Sequence, residues 1–452
     1  MVIGLSIALK PVNSIYKILS SKYNVLKNEG NKNNRIGLSE TMFQLSNDYD
    51  VCVVEMGMNH LGEISDLSKC AKPNIGIITN IGTSHIGYLG SKKNIYRAKR
   101  ELLDGIDGGV ILINGDDKYL KRLKYKQIIR VGLNKSNDFV AFNIVTTKKH
   151  LYFNFNYNNR RYNVKFNIPN ESLVTNILFA IFIGLQFNID PEIILEQLST
   201  YLPEQHRNNI IHLGDKTTLI DDCYNASYES IKGGLSMLKN YSQEKIIVIG
   251  DVLELGKYSK NIHKKIGKLL RKEIGLIILV GNEVKYAYND EFVLKSNYNE
   301  VIDYLKTINL DNKLIYLKGS RKIKLDEVKK YTWTYSEGEH PYLNCSLLRI
   351  SLHKFVLQFL YGKEKLDEML EKCDDTVSIT KNSDDSLEFK FKSGLVFENL
   401  AIPEASAPAE PQPLPVEENA PAPSADDEFE LPDSFIIDEK YNTLPTPDIP
   451  TT

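Results

Sequence analysis

Short apolar runs alternate with longer helical patterns through the first 335 residues, and this alternation constrains the fold more than any other feature of the sequence. Five of the runs suit strands buried on both faces of a parallel sheet: Val51–Glu55, Ile75–Ile78, Val110–Ile113, Ile246–Ile249 and Leu276–Val280. Helical patterns separate them, for example at Lys92–Leu103, Leu173–Leu185 and Asn261–Lys272. The alternation predicts an α/β fold in which helices cover open sheets and ligands bind at the carboxyl ends of the strands.

One segment breaks the alternation. Within Asp138–Ile168 polar and apolar residues alternate, and Tyr and Phe are frequent. This pattern predicts antiparallel hairpins appended to the first sheet. A boundary near Leu202–Arg207 then separates two α/β units. We predict a central domain at 1–203, with the hairpin insert at about 138–168, and a second, Rossmann-like domain at 204–335.

The character of the chain changes after about Tyr335. Two amphipathic helices are predicted at Leu347–Leu360 and Glu364–Glu371, and three short strands at Val377–Thr380, Ser386–Lys392 and Leu395–Glu398. Residues 336–400 are therefore expected to form a small α+β extension of unknown role.

The last 52 residues form an acidic, Pro-rich tail. Residues 401–452 hold 11 of the 17 prolines and 12 acidic residues against one Lys. Such a segment buries too little apolar surface to offset its ordering entropy, so we predict that it is disordered. The cluster Phe429–Ile437 is either part of this solvated tail or a short linear motif that docks on a protein partner.

Composition excludes several classes of protein. The whole chain has a net charge of −2 and the tail has a net charge of −11, so the first 400 residues have a net charge of +9. A mildly basic body favours anionic ligands such as nucleotides but is too weak a signal for nucleic acid.

No apolar run reaches the roughly 18 residues of a membrane span. The five cysteines show no metal or redox spacing, which predicts reduced thiols in the cytoplasm. Met1–Leu9 lacks a basic flank, which favours a buried strand over a signal peptide.

Two strand ends carry polar residues that suit a metal ion. The strand Val51–Val54 runs into Glu55, and the strand Ile75–Ile78 is followed by a segment that ends in His85. We expect these to be neighbouring strand ends, whose carboxylate and imidazole share one divalent cation, with Glu55 as the better Mg²⁺ ligand. The alternative is that each residue is a hydrogen-bonded structural group.

Further polar motifs follow other strands. Asp221 and Asp222, with Tyr224 and Asn225, suit contacts with ribose, metal or an amine substrate, although a capped turn is the alternative. Lys99, close to Glu101 on a predicted helix, has the pattern of an ordinary solvated pair.

Taken together, the motifs resemble the Mur ligase family, and within it the members that add D-alanyl-D-alanine to UDP-N-acetylmuramoyl-tripeptide. The resemblance extends over about residues 1 to 330, where the motifs occur in the family's order. They are Gly30-Asn-Lys-Asn-Asn-Arg-Ile-Gly37, Glu55-Met-Gly-Met-Asn59, Gly62-Glu-Ile64, Thr79-Asn-Ile-Gly82 with His85, Gly90-Ser91, Ala98-Lys-Arg-Glu101, Asp221-Asp-Cys-Tyr-Asn-Ala226, Gly250-Asp-Val-Leu-Glu-Leu-Gly256 and Lys318-Gly-Ser-Arg321.

The resemblance implies an ATP-dependent amide-bond ligase of peptidoglycan precursor synthesis that works through an acyl phosphate. It implies Mg²⁺ on Glu55, His85 and a carbamylated Lys99. It implies that Lys10, Asn176, Arg207 and Asp222 contact ATP, with Lys99, His85 and Asp222 as catalytic residues. It implies that the muramoyl-peptide and the dipeptide contact Asn31, Asn33, Asn34, Tyr224, Asn225, Lys318 and Ser320.

Two departures from the family raise alternatives. The family's phosphate loop ends in Gly-Lys-Thr, whereas the segment Gly4–Ser14 has no such sequence, and Pro11 lacks a backbone N–H. The family-like part also begins at Met1, so the family's UDP-binding domain is expected to be missing. Three hypotheses remain open: an active ligase, a catalytically degenerate Mur-like scaffold or binding protein, and an incomplete gene product.

Overall fold

The computed structural model describes residues 1–6, 11–213 and 216–336, together with the backbone of three strands between 377 and 400. It divides the chain into two compact units. The described residues up to 336 belong to the first unit and the three later strands to the second. Within the first unit we call residues 1–199 the first lobe and residues 209–336 the second lobe.

A seven-stranded parallel sheet forms the centre of the first lobe, with strand order β2-β3-β1-β4-β5-β6-β7. The strands are β1 (Val2–Ser6), β2 (Val25–Lys27), β3 (Val51–Met56), β4 (Ile75–Ile78), β5 (Val110–Asn114), β6 (Ile128–Gly132) and β7 (Phe139–Val140). The interior strand β1 is buried on both faces, as its apolar run requires, and Leu5 pairs with Glu55 on one side and Ile77 on the other.

The described residues of the first lobe include seven α-helices. They are α1 (Val12–Leu19), α2 (Arg35–Phe43), α3 (Glu63–Ala71), α4 (Ile86–Leu89), α5 (Lys92–Arg100), α6 (Val174–Gln186) and α7 (Pro191–Ser199). Helix α6 is apolar on nearly all sides because it is buried, and Gly184 lets it approach α1 closely: a Cβ there would lie 2.7 Å from Ile18.

An antiparallel sheet of three strands follows β7. It consists of β8 (Phe142–Thr146), β9 (Leu151–Tyr157) and β10 (Arg160–Phe166), in the order β10-β9-β8. Alternate residues of β9, namely Leu151, Phe153 and Phe155, are buried in the same core cluster as β1, α1 and α6. The predicted hairpins are therefore confirmed.

The second lobe is built on a six-stranded sheet with the order β11-β12-β16-β13-β14-β15, in which only β11 runs antiparallel. Its strands are β11 (Asn209–Leu213), β12 (Thr217–Asp221), β13 (Glu244–Gly250), β14 (Leu276–Val280), β15 (Val293–Lys295) and β16 (Lys313–Lys318). Its helices are α8 (Tyr228–Leu238), α9 (Ser259–Leu270), α10 (Tyr298–Leu305) and α11 (Leu325–Ser336). Helix α8 begins with a capping box between Ser227 and Ser230, which orients its first turn.

The second unit contributes an antiparallel sheet of β17 (Val377–Lys381), β18 (Leu387–Phe391) and β19 (Val396–Leu400). These three strands were predicted and are confirmed. The helices predicted at 347–360 and 364–371 and the tail at 401–452 lie outside the described residues. Among the helices that the structure describes, none has the length and apolar character to cross a bilayer.

We predict that the hairpin sheet and the parallel sheet share one core. Phe153→Ala should lower the free energy of unfolding of the first lobe by about 3–5 kcal/mol, because it leaves a large cavity in that core. Val145→Ala, on the same small sheet but 56% exposed, should change it by no more than about 0.5 kcal/mol. Urea unfolding measures both. Equal effects of the two variants would contradict the shared core.

Candidate active site

A cleft with a volume of about 1050 Å³ lies between the two lobes. Most of the predicted site residues line it: Asn31, Asn33, Asn34, Glu55, His85, Lys99, Arg207, Tyr224, Asn225 and Ser320. Residues that are far apart in sequence therefore meet in one place. A cleft that both lobes line is a setting in which two substrates can be brought together.

A smaller cavity of about 100 Å³ adjoins this cleft. The remaining predicted residues of the described chain line it: Asn176, Asp222 and Lys318. Arg207, Tyr224 and Asn225 line both spaces and so form their common wall. The predicted phosphate contact Lys10 lies outside the described residues, but its flanks reach both spaces, since Ser6 lines the cleft and Ser14 the smaller cavity.

Glu55 enters the cleft from the carboxyl end of β3. The side chain of Asn33 donates a hydrogen bond of 2.7 Å to Glu55 Oε1, and Asn28 accepts one from the Glu55 amide. The expectation that Glu55 and His85 follow neighbouring strands is wrong, because β1 lies between β3 and β4. Both side chains nevertheless line the cleft.

His85 does not sit on a strand end but at the start of α4, in a left-handed backbone conformation with a φ of 60°. Its Nδ1 lies 2.7 Å from Oε2 of Glu254 in the second lobe, at an angle that is poor for a hydrogen bond. This contact is the main cause of the lowered pKa of Glu254. Glu254 therefore orients the imidazole, a role that we did not assign from the sequence although its motif was recognised.

Lys99 is buried on α5 rather than forming a solvated pair with Glu101. Its Nζ donates a hydrogen bond of 2.8 Å to the backbone oxygen of Asn80. Burial lowers the pKa of Lys99 to about 8, against the opposing influence of Asp117, Glu229 and Glu55. About a tenth of this lysine is therefore a neutral amine at pH 7, against less than about a thousandth for a lysine with an ordinary pKa.

Glu55, His85 and Lys99 fit Mg²⁺ only if Lys99 is chemically modified. An ammonium group repels a cation, so Lys99 fits only after the amine has become an anionic carbamate, and its low pKa favours the neutral amine that this reaction requires. Glu55 supplies oxygen, which Mg²⁺ prefers, and His85 is oriented by Glu254. With that modification the residues fit the ion.

The wall between the two spaces combines charge and aromatic surface. The guanidinium of Arg207 lies 4.0 Å from the ring centre of Tyr224, whose hydroxyl donates a hydrogen bond to Asn31 of the first lobe. Asp222 is buried, and its Oδ2 accepts hydrogen bonds from Lys318 Nζ at 2.6 Å and from Tyr316 at 3.2 Å. Lys318 thus neutralises Asp222 beside the smaller cavity, away from Ser320 in the cleft.

Glu229 joins the two lobes next to these residues. From α8 its Oε2 accepts hydrogen bonds from the amide (3.1 Å) and hydroxyl (2.6 Å) of Thr83, and its Oε1 lies 3.1 Å from Lys92 Nζ. Burial raises the pKa of Glu229, but the Thr83 hydrogen bond and the Lys92 charge outweigh burial, so that its pKa lies below the ordinary value. The sequence carries no local signal for this contact.

Two family models match the chain. The Mur ligase middle domain matches residues 12–184, and the Mur ligase glutamate ligase domain matches residues 206–321. The UDP-N-acetylmuramoyl-tripeptide–D-alanyl-D-alanine ligase of Bacillus subtilis strain 168 is 32% identical over 335 residues, or 70% of this chain and 71% of the relative. The chain belongs to the Mur ligase family. The predicted fold class, with its central sheet domain and C-terminal Rossmann-like domain, is confirmed.

Solved structures agree with this assignment to the Mur ligase family. MurF from Acinetobacter baumannii superposes with a TM-score of 0.68 at 26% identity, over 73% of this chain and 75% of that protein. MurF ligase from Thermotoga maritima, solved in complex with ADP, gives a TM-score of 0.69 at 21% identity, over 75% and 81% of the two chains, and shows the same fold.

The contact of Glu229 with Thr83 and Lys92 forms what we call the seam between the lobes. We predict that this contact protects the seam of this Mur ligase from local opening. Glu229→Gln should accelerate amide hydrogen exchange in residues 82–92 by about tenfold or more, because hydrogen bonds to a charged group contribute about 1.5–3 kcal/mol. Glu244→Gln is the matched control, since Glu244 pairs with Lys313 at the surface of the second lobe. Equal exchange in the two variants would show that Glu229 does not hold the seam.

Proposed function

We propose that the chain is an ATP-dependent ligase of peptidoglycan precursor synthesis that adds D-alanyl-D-alanine to UDP-N-acetylmuramoyl-tripeptide in the cytoplasm. The observation that carries this proposal is the similarity to the Bacillus subtilis ligase, combined with one cleft lined by motif residues of both lobes. The domain limits of 1–203 and 204–335 are part of the proposal, and the family matches end and begin close to them.

The proposed chemistry has two steps. The terminal carboxylate of the tripeptide takes the γ-phosphoryl group of ATP, and ADP leaves. The amine of the dipeptide then attacks the acyl phosphate, and phosphate and one proton are released. Most of the barrier is lowered by positioning and charge, because phosphoryl transfer requires little covalent help from the protein.

Each region of the site has a role in this scheme. Asn31, Asn33 and Asn34 lie at the first-lobe side of the cleft, where we propose that they contact the muramoyl-peptide. Tyr224 and Asn225, with Ser320, face the dipeptide from the second lobe.

We propose that the smaller cavity receives the nucleotide, with Asn176 at the adenine and Asp222, supported by Lys318, at the ribose. Arg207 lines both spaces, so its positive charge lies where the phosphoryl group passes from one substrate to the other.

Glu55, His85 and a carbamylated Lys99 are proposed to hold Mg²⁺. The ion, when bound, neutralises phosphate charge. The chain's own contribution is the buried amine of Lys99, the carboxylate of Glu55 fixed by Asn33, and the imidazole oriented by Glu254.

A catalytically degenerate scaffold is the second candidate, and the segment Gly4–Ser14 favours it. Three branched or methyl side chains, Ile7, Ala8 and Leu9, occupy the positions where a phosphate loop brings its backbone close to the ligand. Only Lys10 offers a charge there. A scaffold would keep the cleft and its peptide contacts but would not transfer phosphate.

Product analysis distinguishes the two candidates. The full chain is incubated with ATP, Mg²⁺, UDP-N-acetylmuramoyl-tripeptide and D-Ala-D-Ala, and the pentapeptide product is measured by mass spectrometry. The ligase proposal predicts product that disappears when either ATP or the dipeptide is omitted. Binding of the tripeptide nucleotide without any product would support the scaffold instead.

We predict that Lys99 carries a carbamate. Protein exposed to ¹³C-labelled bicarbonate should give a carbamate signal by NMR that is lost in Lys99→Ala and kept in Lys93→Ala, an exposed lysine on the same helix. Because the neutral amine reacts and the pKa of Lys99 is about 8, the initial rate of labelling at a fixed concentration of dissolved CO₂ should rise between pH 7 and pH 9. A signal that survives in Lys99→Ala would place the carbamate elsewhere.

We also predict weak nucleotide binding. A preorganised backbone donor can contribute about 3 kcal/mol to stabilising developing charge, and the segment Gly4–Ser14 lacks the Gly-Lys-Thr sequence that presents such donors to phosphate. Isothermal titration with Mg-ATP should therefore show low affinity that falls further in Lys10→Ala. Tight binding that is unchanged in Lys10→Ala would refute this account of the loop.

A further inference from the structure

Three potential metal ligands converge beneath the smaller cavity, and none of them belongs to the site proposed above. They are His206, Asp221 and Cys223, and their ligand atoms all lie within 4.8 Å of one another. His206 Nδ1 is 2.9 Å from Asp221 Oδ2, Cys223 Sγ is 2.9 Å from Asp221 Oδ1, and Sγ and Nδ1 are 3.7 Å apart. Asp221 and Cys223 are buried, whereas the His206 side chain is 18% exposed and gives access from solvent.

We propose that His206, Asp221 and Cys223 form a binding site for a thiophilic divalent cation of the Zn²⁺ class, distinct from the Mg²⁺ site. Zinc is bound at about 2.3 Å by sulfur and about 2.0–2.1 Å by imidazole nitrogen in tetrahedral sites, which requires these two atoms to be about 3.6 Å apart. The observed separation of 3.7 Å meets this requirement, and the Asp221 carboxylate, which now lies at a hydrogen-bond distance of 2.9 Å from each of the other two atoms, moves slightly outward when the cation binds.

The donor set selects the class of ion. One nitrogen, one sulfur and one oxygen suit Zn²⁺ or Co²⁺, whereas Mg²⁺ prefers oxygen ligands alone. Three protein ligands leave one coordination position for water. The site is therefore expected to discriminate against the Mg²⁺ that accompanies ATP.

Lys329 supports the same carboxylate from outside the cluster. Its Nζ lies 2.8 Å from Asp221 Oδ2, so Asp221 can keep this partner while Oδ1 turns to a cation. In metal sites, a hydrogen bond from a residue outside the ligand set commonly orients a ligating carboxylate. The partner also balances the charge of the buried Asp221 before the cation binds.

Binding replaces a proton. The thiol proton of Cys223, now donated to Asp221, is released to solvent as the sulfur–metal bond forms, and the imidazole of His206 binds through a deprotonated Nδ1 with its ring proton on Nε2. No electron is transferred, and no other reactant is needed.

The position of the cluster links it to the nucleotide cavity. His206 directly precedes Arg207, and Asp222 lies between the two other ligands, so a bound cation fixes both segments that line the smaller cavity. His206 has a left-handed φ of 61°, which turns its side chain inward within this short connection. Occupancy should therefore raise the thermal midpoint of the chain.

Cobalt serves as the probe, because a cysteine thiolate bound to Co²⁺ gives a ligand-to-metal charge-transfer absorption. Titration of the full chain with Co²⁺ should give this band with one equivalent bound. Cys223→Ser should abolish it, and Cys70→Ser, which changes an exposed cysteine, should keep it. A band that persists in Cys223→Ser, or its absence from the unaltered chain, would overturn the proposal.

Two further measurements test the proposal even if Cys223→Ser fails to fold. His206→Gln keeps every thiol and should weaken Co²⁺ binding at least tenfold while circular dichroism stays unchanged. Zn²⁺ should displace Co²⁺ from the site and remove the absorption band, whereas millimolar Mg²⁺ should leave the band unchanged. Displacement of Co²⁺ by Mg²⁺, or full affinity for Co²⁺ in His206→Gln, would overturn the proposal. The band should also persist in Glu55→Gln, so this test is independent of ligase activity.

Discussion

The carboxylate of Glu229 connects two lobes that otherwise have separate sheets and separate helices. It accepts hydrogen bonds from the amide and the hydroxyl of Thr83 and faces the ammonium of Lys92. These contacts are partly buried. A close backbone approach reinforces this seam, because Gly87 donates its N–H to the backbone oxygen of Glu254, and a Cβ on Gly87 would lie 2.5 Å from that oxygen. These contacts hold together the two lobes that supply the walls of the cleft.

The electrostatics of the cleft depend on burial and on contacts between the lobes. Lys99 is fully enclosed, and the cost of burying its charge outweighs the attraction of three carboxylates, one of which is Glu229 itself. The burial of Lys99 therefore favours the neutral amine that the proposed carbamate requires. Contact between the lobes brings Glu254 of the second lobe against His85 of the first. Opening the lobes would separate Glu254 from His85, which is one way in which domain movement can control such a site.

Much of the fold could be predicted because buried parallel strands leave a strong signal in sequence. The runs that became β3, β4, β5, β13 and β14 were all assigned from apolar content. Sheet order was not predictable in the same way: β1 inserts between β3 and β4, so Glu55 and His85 do not follow adjacent strands. Strand order depends on crossover connections, which local composition does not report.

Some residues of the candidate site could likewise be predicted from the sequence, and others could not. Residues in strand-end motifs, such as Glu55 and Tyr224, could be proposed from position alone, and the structure brings them to one cleft. Glu229 and Glu254 could not be given roles, because each acts on a residue more than 140 positions away. Lys99 was expected in solvent on local grounds, and only tertiary packing shows that it is buried.

The most direct test of the central claim is phosphate release by the full chain with ATP, Mg²⁺ and UDP-N-acetylmuramoyl-tripeptide, measured with and without D-Ala-D-Ala. The comparison uses the unaltered chain, Lys99→Ala and Lys93→Ala. The account predicts dipeptide-dependent release that Lys99→Ala abolishes and Lys93→Ala retains. Release at background level in the unaltered chain, or equal loss in both variants, would contradict it.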